Sequence, residues 1–195
     1  MLTQDKIAAL KAAHGPSLSL FEVDELQIVC RPMDLKAWRN FKRRANHPLE
    51  VSQAGEELLL ELMVHPAPAE LRAFLERKPL AVQEVVDALC KEAGALTSWQ
   101  SLEVDAEGHE LLAAEGMKVT LRPVEGAVGR LYQKRLDDPK LVAQAGEWLL
   151  EQAVVSPPLA DLLDACRGRL LMLDRLAAVV AQRAGRAIEV RAKKL

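Results

Sequence analysis

The chain repeats itself at a fixed spacing of 91 residues. Arg31-Pro32 recurs as Arg122-Pro123, and Gln53-Ala54-Gly55-Glu56 recurs as Gln144-Ala145-Gly146-Glu147. The spacing continues without a gap through many other positions, and about a quarter of the paired residues are identical. A chain of 195 residues built this way is predicted to contain two small domains, each near the lower size limit for an independent hydrophobic core.

The repeat sets the expected boundaries. We expect a first repeat unit over residues 1–95, a linker over 96–107 and a second repeat unit over 108–195. Hydrophobic residues make up 50% of the chain and are mostly Leu, Ala and Val, whereas Tyr occurs once. This composition favours helices over extended sheet.

Two hydrophobic periods follow each other within one unit. Leu26, Ile28 and Cys30 alternate with Gln27, Val29 and Arg31 after an Asp24-Glu25 turn, which predicts a β-hairpin. After Pro32 the period lengthens to that of a helix, and the pattern predicts helices over 34–46 and 49–64, and from Pro68 and Pro79 onward. The predicted fold class is α+β and predominantly helical, with two tandem repeats that each hold a β-hairpin followed by about four helices.

Several segments carry weaker predictions. A helix over residues 2–14 is expected to begin at a Thr3 cap and end at Gly15-Pro16. A short strand is predicted over 101–104 and a terminal strand over 187–192, where apolar and charged residues alternate. Gly55 and Gly146 lie inside predicted helices, so we expect another element to cross closely where a Cβ would clash.

Charge argues against capture of a polyanion by the whole molecule. The formal net charge is −2. One predicted helix is strongly basic, but the next is acidic, so the pattern favours a salt-bridged surface over a nucleic-acid interface. The basic residues are Lys36, Arg39, Lys42, Arg43 and Arg44, and the acidic ones are Glu50, Glu56, Glu57 and Glu61.

No set of residues predicts catalysis or metal binding. Cys30, Cys90 and Cys166 each match an apolar residue in the other repeat, and no C-x-x-C spacing occurs, so they are expected to be buried thiols in a reducing, cytoplasmic setting. The four histidines lack ligand spacing, and phosphate-binding loops and nucleophile motifs are missing. We therefore expect no enzyme activity, no cofactor and no metal. Neither a signal peptide nor a run of 18 apolar residues appears, so no membrane partner is expected.

Aromatic side chains supply the candidate binding residues. Trp38 and Trp148 match Gly129 and Glu57 in the other repeat, so neither tryptophan is common to both units. Trp148 in place of a glutamate predicts an exposed ring or a ring where the two units meet. Beside the matched Phe41 and Tyr132, these residues form the predicted partner-binding set: Trp38, Phe41, Tyr132 and Trp148.

The order of the motifs resembles the tail assembly chaperones of tailed bacteriophages. The resemblance covers residues 2–94 and, more weakly, 108–185, and members of this type usually carry one copy. The motifs that carry it are Leu2-Thr3-Gln4, Ile7 to Gly15, Cys30-Arg31-Pro32, Trp38-Arg39-Asn40-Phe41, Val64-His65-Pro66, Pro79 and Glu92-Ala93-Gly94.

The resemblance implies a non-enzymatic protein that binds the long, helical, aggregation-prone tape measure protein during tail assembly in the bacterial host cytoplasm. Such a role needs an apolar groove that accepts an amphipathic segment, and two copies would add avidity. Two alternatives stay open: a structural adaptor of a phage tail or phage-derived contractile particle, which would be virion-associated, and a nucleic-acid-associated regulator using the helix at Lys36 to Arg44. Self-assembly is also left open.

Overall fold

A computed structural model describes residues 2–45 and 50–184. The protein is α+β and predominantly helical. The described residues divide into two compact units: the first runs up to Gly94 and also includes Arg167–Leu170, and the second includes Ala95–Cys166 and the described residues from Leu171 onward. No helix in these ranges is both long and apolar enough to cross a bilayer.

The first unit begins with helix α1, followed by a hairpin and four further helices. Its elements are α1 (Gln4–His14), β1 (Ser19–Val23), β2 (Leu26–Cys30), α2 (Leu35–Ala45), α3 (Val51–Leu62), β3 (Met63–His65), α4 (Pro68–Arg77) and α5 (Ala81–Glu92). Strands β1, β2 and β3 form an antiparallel sheet in that order. Thr3 caps α1 by accepting a hydrogen bond from the Lys6 amide, as its sequence predicts.

The second unit begins with a strand where the first begins with α1, and the remaining elements follow in the same order. Its elements are β4 (Gln100–Val104), β5 (Glu110–Ala114), β6 (Met117–Leu121), α6 (Gly126–Asp137), α7 (Val142–Ala153), β7 (Val154–Ser156), α8 (Leu159–Ala165) and α9 (Leu171–Arg183). Its antiparallel sheet has the order β4, β5, β6, β7. Strands β5, β6 and β7 and helix α7 begin and end 91 residues after β1, β2, β3 and α3.

The recurring Arg-Pro pair has a structural reason in each unit. The Arg31 amide donates to the Leu62 carbonyl at 2.9 Å, and the Arg122 amide donates to the Ala153 carbonyl at 2.8 Å. Their guanidinium groups donate to the carbonyls of Glu61 and Gln152 at 3.4 and 2.7 Å. These bonds satisfy carbonyl groups at the end of a helix, where cationic donors are favourable.

Strands β3 and β7 correct the predicted length of the second helix. The sequence pattern extends that helix to Val64 in the first unit, but α3 ends at Leu62 and the next three residues pair with β2. Pro66 disfavours helical backbone at His65, and the β-branched Val64 suits a strand. Each predicted hairpin is therefore part of a larger sheet.

The predicted linker belongs to the second unit. Trp99 is 7% exposed, and its indole N–H donates to the Met172 carbonyl at 3.1 Å. The short strand predicted over 101–104 is confirmed as β4, which pairs with β5. Residues 95–107 thus fold with the unit that follows them instead of separating the two units.

Each unit has a core between its sheet and its helices. In the first unit Ile28, Leu59 and Leu71 are almost fully buried, and in the second Leu112, Leu150 and Leu176 are. Gly55 of α3 faces Val86 of α5, so the predicted helix crossing is confirmed there. The predicted clash is wrong, because a Cβ on Gly55 would lie 3.4 Å from the Val86 side chain, an ordinary contact. The predicted strand at 187–192 and the helix end at His47-Pro48 lie outside the described residues.

Candidate partner-binding surfaces

The four predicted partner-binding residues lie on two matched helix pairs. Trp38 and Phe41 lie on α2, which packs against α3, and Tyr132 and Trp148 lie on α6 and α7, which also pack together. Phe41 and Tyr132 occupy matched positions at the 91-residue spacing. The amphipathic periods that formed these helices therefore place all four aromatic rings near a helix-helix contact.

Burial separates these residues into two classes. Trp38 is 1% exposed and Tyr132 is 8% exposed, so both rings lie in the cores of their units. This placement corrects their assignment to a partner-binding surface, because a buried ring cannot contact a partner without leaving the core. Phe41 and Trp148 are half-buried, and each keeps part of its ring at the surface.

Phe41 lines a small cleft between α2 and α3. The cleft has a volume of about 170 Å³, and its lining includes the apolar side chains of Ala54 and Leu58. Its polar edge contains Arg44, which forms ion pairs with Glu57 and, at 3.2 Å, with Glu50. The cleft is too small for a helical segment but large enough for one apolar side chain of a partner.

Ion pairs occupy the basic helix as the sequence predicted. Arg44 pairs with Glu50, just before α3, and with Glu57 of α3, and the Lys42 ammonium lies 4.1 Å from the centre of the Trp38 ring. Such contacts hold the cations against the protein and reduce the positive potential available to a phosphate backbone. The arrangement favours a salt-bridged surface over a nucleic-acid interface.

Trp148 is held by a cation in the second unit. The Arg135 guanidinium lies 4.6 Å from the centre of the Trp148 ring. Arg135 and Trp148 match Arg44 and Glu57 in the first unit. The same two positions therefore hold an ion pair in one unit and a cation–π contact in the other, and the second leaves an aromatic surface beside a positive charge.

A larger groove lies in the first unit, and we call it the first-unit groove. Its volume is about 730 Å³, and its wall includes the apolar side chains of Leu18, Met33 and Leu89. The remaining lining residues come from the end of α1 and the following loop, the start of β1, the segment between β2 and α2, the end of α5, and residues 167–169. Sequence reasoning missed it, because these segments are far apart in the chain.

Charged groups line the first-unit groove. Arg31 donates to the Asp34 carboxylate at 2.5 Å, and Ser19 donates to the Glu92 carboxylate. Burial alone would raise the pKa of Asp34, but the Ala37 amide and the Arg31 guanidinium hold the pKa of that carboxyl below its usual value. An apolar wall with ionised groups beside it suits an amphipathic ligand.

One group of potential metal ligands lies in the turn between β4 and β5. The ligand atoms of Asp105, Glu107 and His109 all lie within 4.8 Å of one another. The Asp105 carboxylate accepts hydrogen bonds from the backbone amides of Glu107 and His109 and also contacts the His109 ring. The bond from the His109 backbone amide lowers the pKa of Asp105 most. These bonds account for the cluster as a turn.

The cysteines do not resemble nucleophiles. Burial raises the pKa of Cys30 to about 12 and that of Cys90 to about 11, with additional repulsion from Glu92 and Asp87. Cys166 is buried beside the Met117 sulfur at 3.7 Å. Nucleophilic cysteines require a lowered pKa and access to solvent, so Cys30 and Cys90 have the opposite character.

Comparison with known proteins gave no match: no protein-family model, no curated protein and no solved structure is significantly similar to this chain. The order of the motifs and the geometry of the surfaces are therefore the two sources for a functional proposal.

Proposed function

We propose that the protein is a non-enzymatic binding protein of the phage tail assembly chaperone type. It binds an aggregation-prone helical tape measure protein in the bacterial host cytoplasm and keeps it soluble during tail assembly. The proposal is supported by the order of motifs from Leu2 to Gly94 and by apolar surfaces beside charged groups in the first unit.

The first-unit groove is the observation that carries the proposal. An α-helix about 10 Å across fills about 420 Å³ for each turn of about 5.4 Å, so a groove of about 730 Å³ has room for between one and two turns. Half-buried Leu18 would contact the apolar side of such a segment, above a groove floor formed by Met33 and Leu89, which are 3% and 5% exposed. Arg31, Asp34 and Glu92 would face its polar side.

Phe41 and Trp148 provide secondary contact points. Each ring is half-buried and borders a helix pair, so each can accept an apolar side chain without unfolding its unit. Contacts on both units of one chain would increase the effective concentration for a long partner that contains several amphipathic segments. The duplication therefore fits a partner that is long and helical.

The decisive experiment is co-expression with the long helical tape measure protein that this proposal predicts a neighbouring reading frame to encode. Leu18→Glu places a charge at the wall of the first-unit groove, and we expect it to reduce recovery of the soluble partner at least tenfold, because the charge would be desolvated against an apolar segment. Leu80→Glu is the matched control, since Leu80 is 83% exposed and lies outside the groove.

Thermal unfolding of both variants shows whether the charge acts on binding or on folding. A partner that remains equally soluble without this protein would contradict the proposal. Recovery of the protein at fixed copy number in mature particles would instead favour the structural adaptor, because a chaperone leaves the finished particle.

A further inference from the structure

The two sheets differ at one edge. In the second unit β4 pairs with the outer edge of β5. Strand β1 matches β5 at the 91-residue spacing, but within residues 2–45 and 50–184 no strand pairs with its outer edge. An open strand edge carries backbone donors and acceptors that another extended segment can pair with.

The repeat indicates which segment of the chain could pair with the outer edge of β1. Strand β4 lies just after α5 in the chain, and residues 185–195 lie just after α9, which matches α5. Ile188 and Val190 alternate there with Glu189 and Arg191, which is the pattern of a strand with one apolar side. By its place in the sequence and its alternation of apolar and charged residues, this segment matches what the repeat predicts for an edge strand.

Residues 185–195 and strand β1 are complementary in charge and in apolar character. Residues 185–195 contain four cations, Arg186, Arg191, Lys193 and Lys194, and one anion, Glu189. Strand β1 presents an exposed Glu22 near one end, and exposed Glu92 bonds Ser19 at the other end. Leu20 of β1 is 44% exposed and can contact an apolar side chain of an added strand.

We propose that residues 187–195 of one copy of the chain add as a strand to the outer edge of β1 in another copy. The contact repeats in trans the arrangement that β4 makes on β5. It is heterologous, because the donated segment and the accepting edge are different parts of the chain, and it produces head-to-tail assemblies. The proposal does not rest on the chaperone function.

Sedimentation velocity of the full chain across a concentration series tests the association. The double variant Ile188→Pro, Val190→Pro removes two backbone donors from the added strand, so we expect association to weaken about tenfold or more. The control Ile188→Val, Val190→Ile keeps the β-branched side chains and both donors, and should associate like the natural chain. Association should also weaken at high salt.

Amide hydrogen exchange locates the contact. The amides of Ser19–Val23 should exchange more slowly in the full chain than in the double-proline variant, whereas those of Glu110–Ala114 should be unchanged. A full chain that is monomeric at every concentration overturns the proposal, as does association that the prolines leave unchanged. Protection of Ser19–Val23 in a monomer would assign the strand to its own chain and also overturn it.

Discussion

Arg44 and Arg135 occupy one repeat position but make two different interactions, an ion pair and a cation–π contact. Each lies at the same place in its repeat, yet Arg44 pairs with the Glu57 carboxylate and Arg135 lies over the Trp148 ring. An exposed ion pair contributes little in water and is weakened by salt. A cation over an indole ring adds apolar contact area to its electrostatic attraction. A glutamate at this position therefore gives a polar contact in one repeat, and a tryptophan gives an aromatic surface beside the same arginine in the other.

The two tryptophans should respond differently to truncation. Because Trp38 is 1% exposed, Trp38→Ala should lower the free energy of unfolding by about 3–5 kcal/mol, whether or not a partner is present. Trp148 is half-buried, so Trp148→Ala should cost less stability and should weaken partner capture by tens of fold if its ring contacts the partner.

Urea unfolding and partner pull-down separate these two effects. Glu57→Ala is the matched control, because it truncates the corresponding residue of the first unit without removing a ring. Equal stability losses at Trp38 and Trp148, with no loss of capture at Trp148, would place both rings in a purely structural role.

At the scale of elements, the crossing of α3 and α5 leaves room at Gly55. An added Cβ would lie 3.4 Å from the Val86 side chain and 3.7 Å from that of Val82, which is normal contact. Glycine inside a helix costs about 1 kcal/mol relative to alanine. The glycine therefore does not maintain the packing of α3 by excluding a Cβ.

We predict that Gly55→Ala raises the free energy of unfolding by about 0.5–1 kcal/mol. Gly55→Val should lower it, because the two γ-methyl groups would extend into Val86 and the branched side chain is disfavoured in a helix. Equilibrium urea unfolding of the three proteins measures both changes. A destabilised alanine variant would mean that the two helices approach more closely than the structure shows.

Local sequence patterns predicted which helices and strands form better than they predicted where these end or which other segments they contact. The alternation at Leu26 to Cys30 and the helical period after Pro32 identified β2 and α2, because those signals depend on neighbouring residues. Strand β3 was missed, because three residues are too short for a period and its pairing with β2 is a contact between distant segments.

The candidate sites likewise depend on contacts between distant segments, which local sequence patterns do not report. Trp38 was predicted at a surface, but an aromatic residue at helical spacing has the same pattern whether its helix turns it inward or outward, and tertiary packing places it in the core. The first-unit groove could not be predicted, because Leu18, Met33 and Leu89 meet only after the helices dock on the sheet.

At the scale of the whole molecule, the repeat predicts how closely the two units should agree. Residues 19–92 and 110–183 share an order of elements, and several elements keep the 91-residue spacing at both ends. We predict that the Cα atoms of these two ranges superimpose without a shift in register, except at Arg167–Leu170, which belong to the first unit. A superposition that needs a shifted register, or that pairs a helix with a strand, would contradict the duplication.

Residues Arg167–Leu170 interrupt the second unit and belong to the first. Leu170 is 3% exposed, and Gly168 forms a β-bridge with Met33. Subcloning the chain at Gly94 would therefore yield one fragment that lacks part of its own fold and another that carries a foreign piece. The duplicated halves have ceased to be interchangeable modules: a gene fragment that encodes one repeat no longer encodes one complete folding unit.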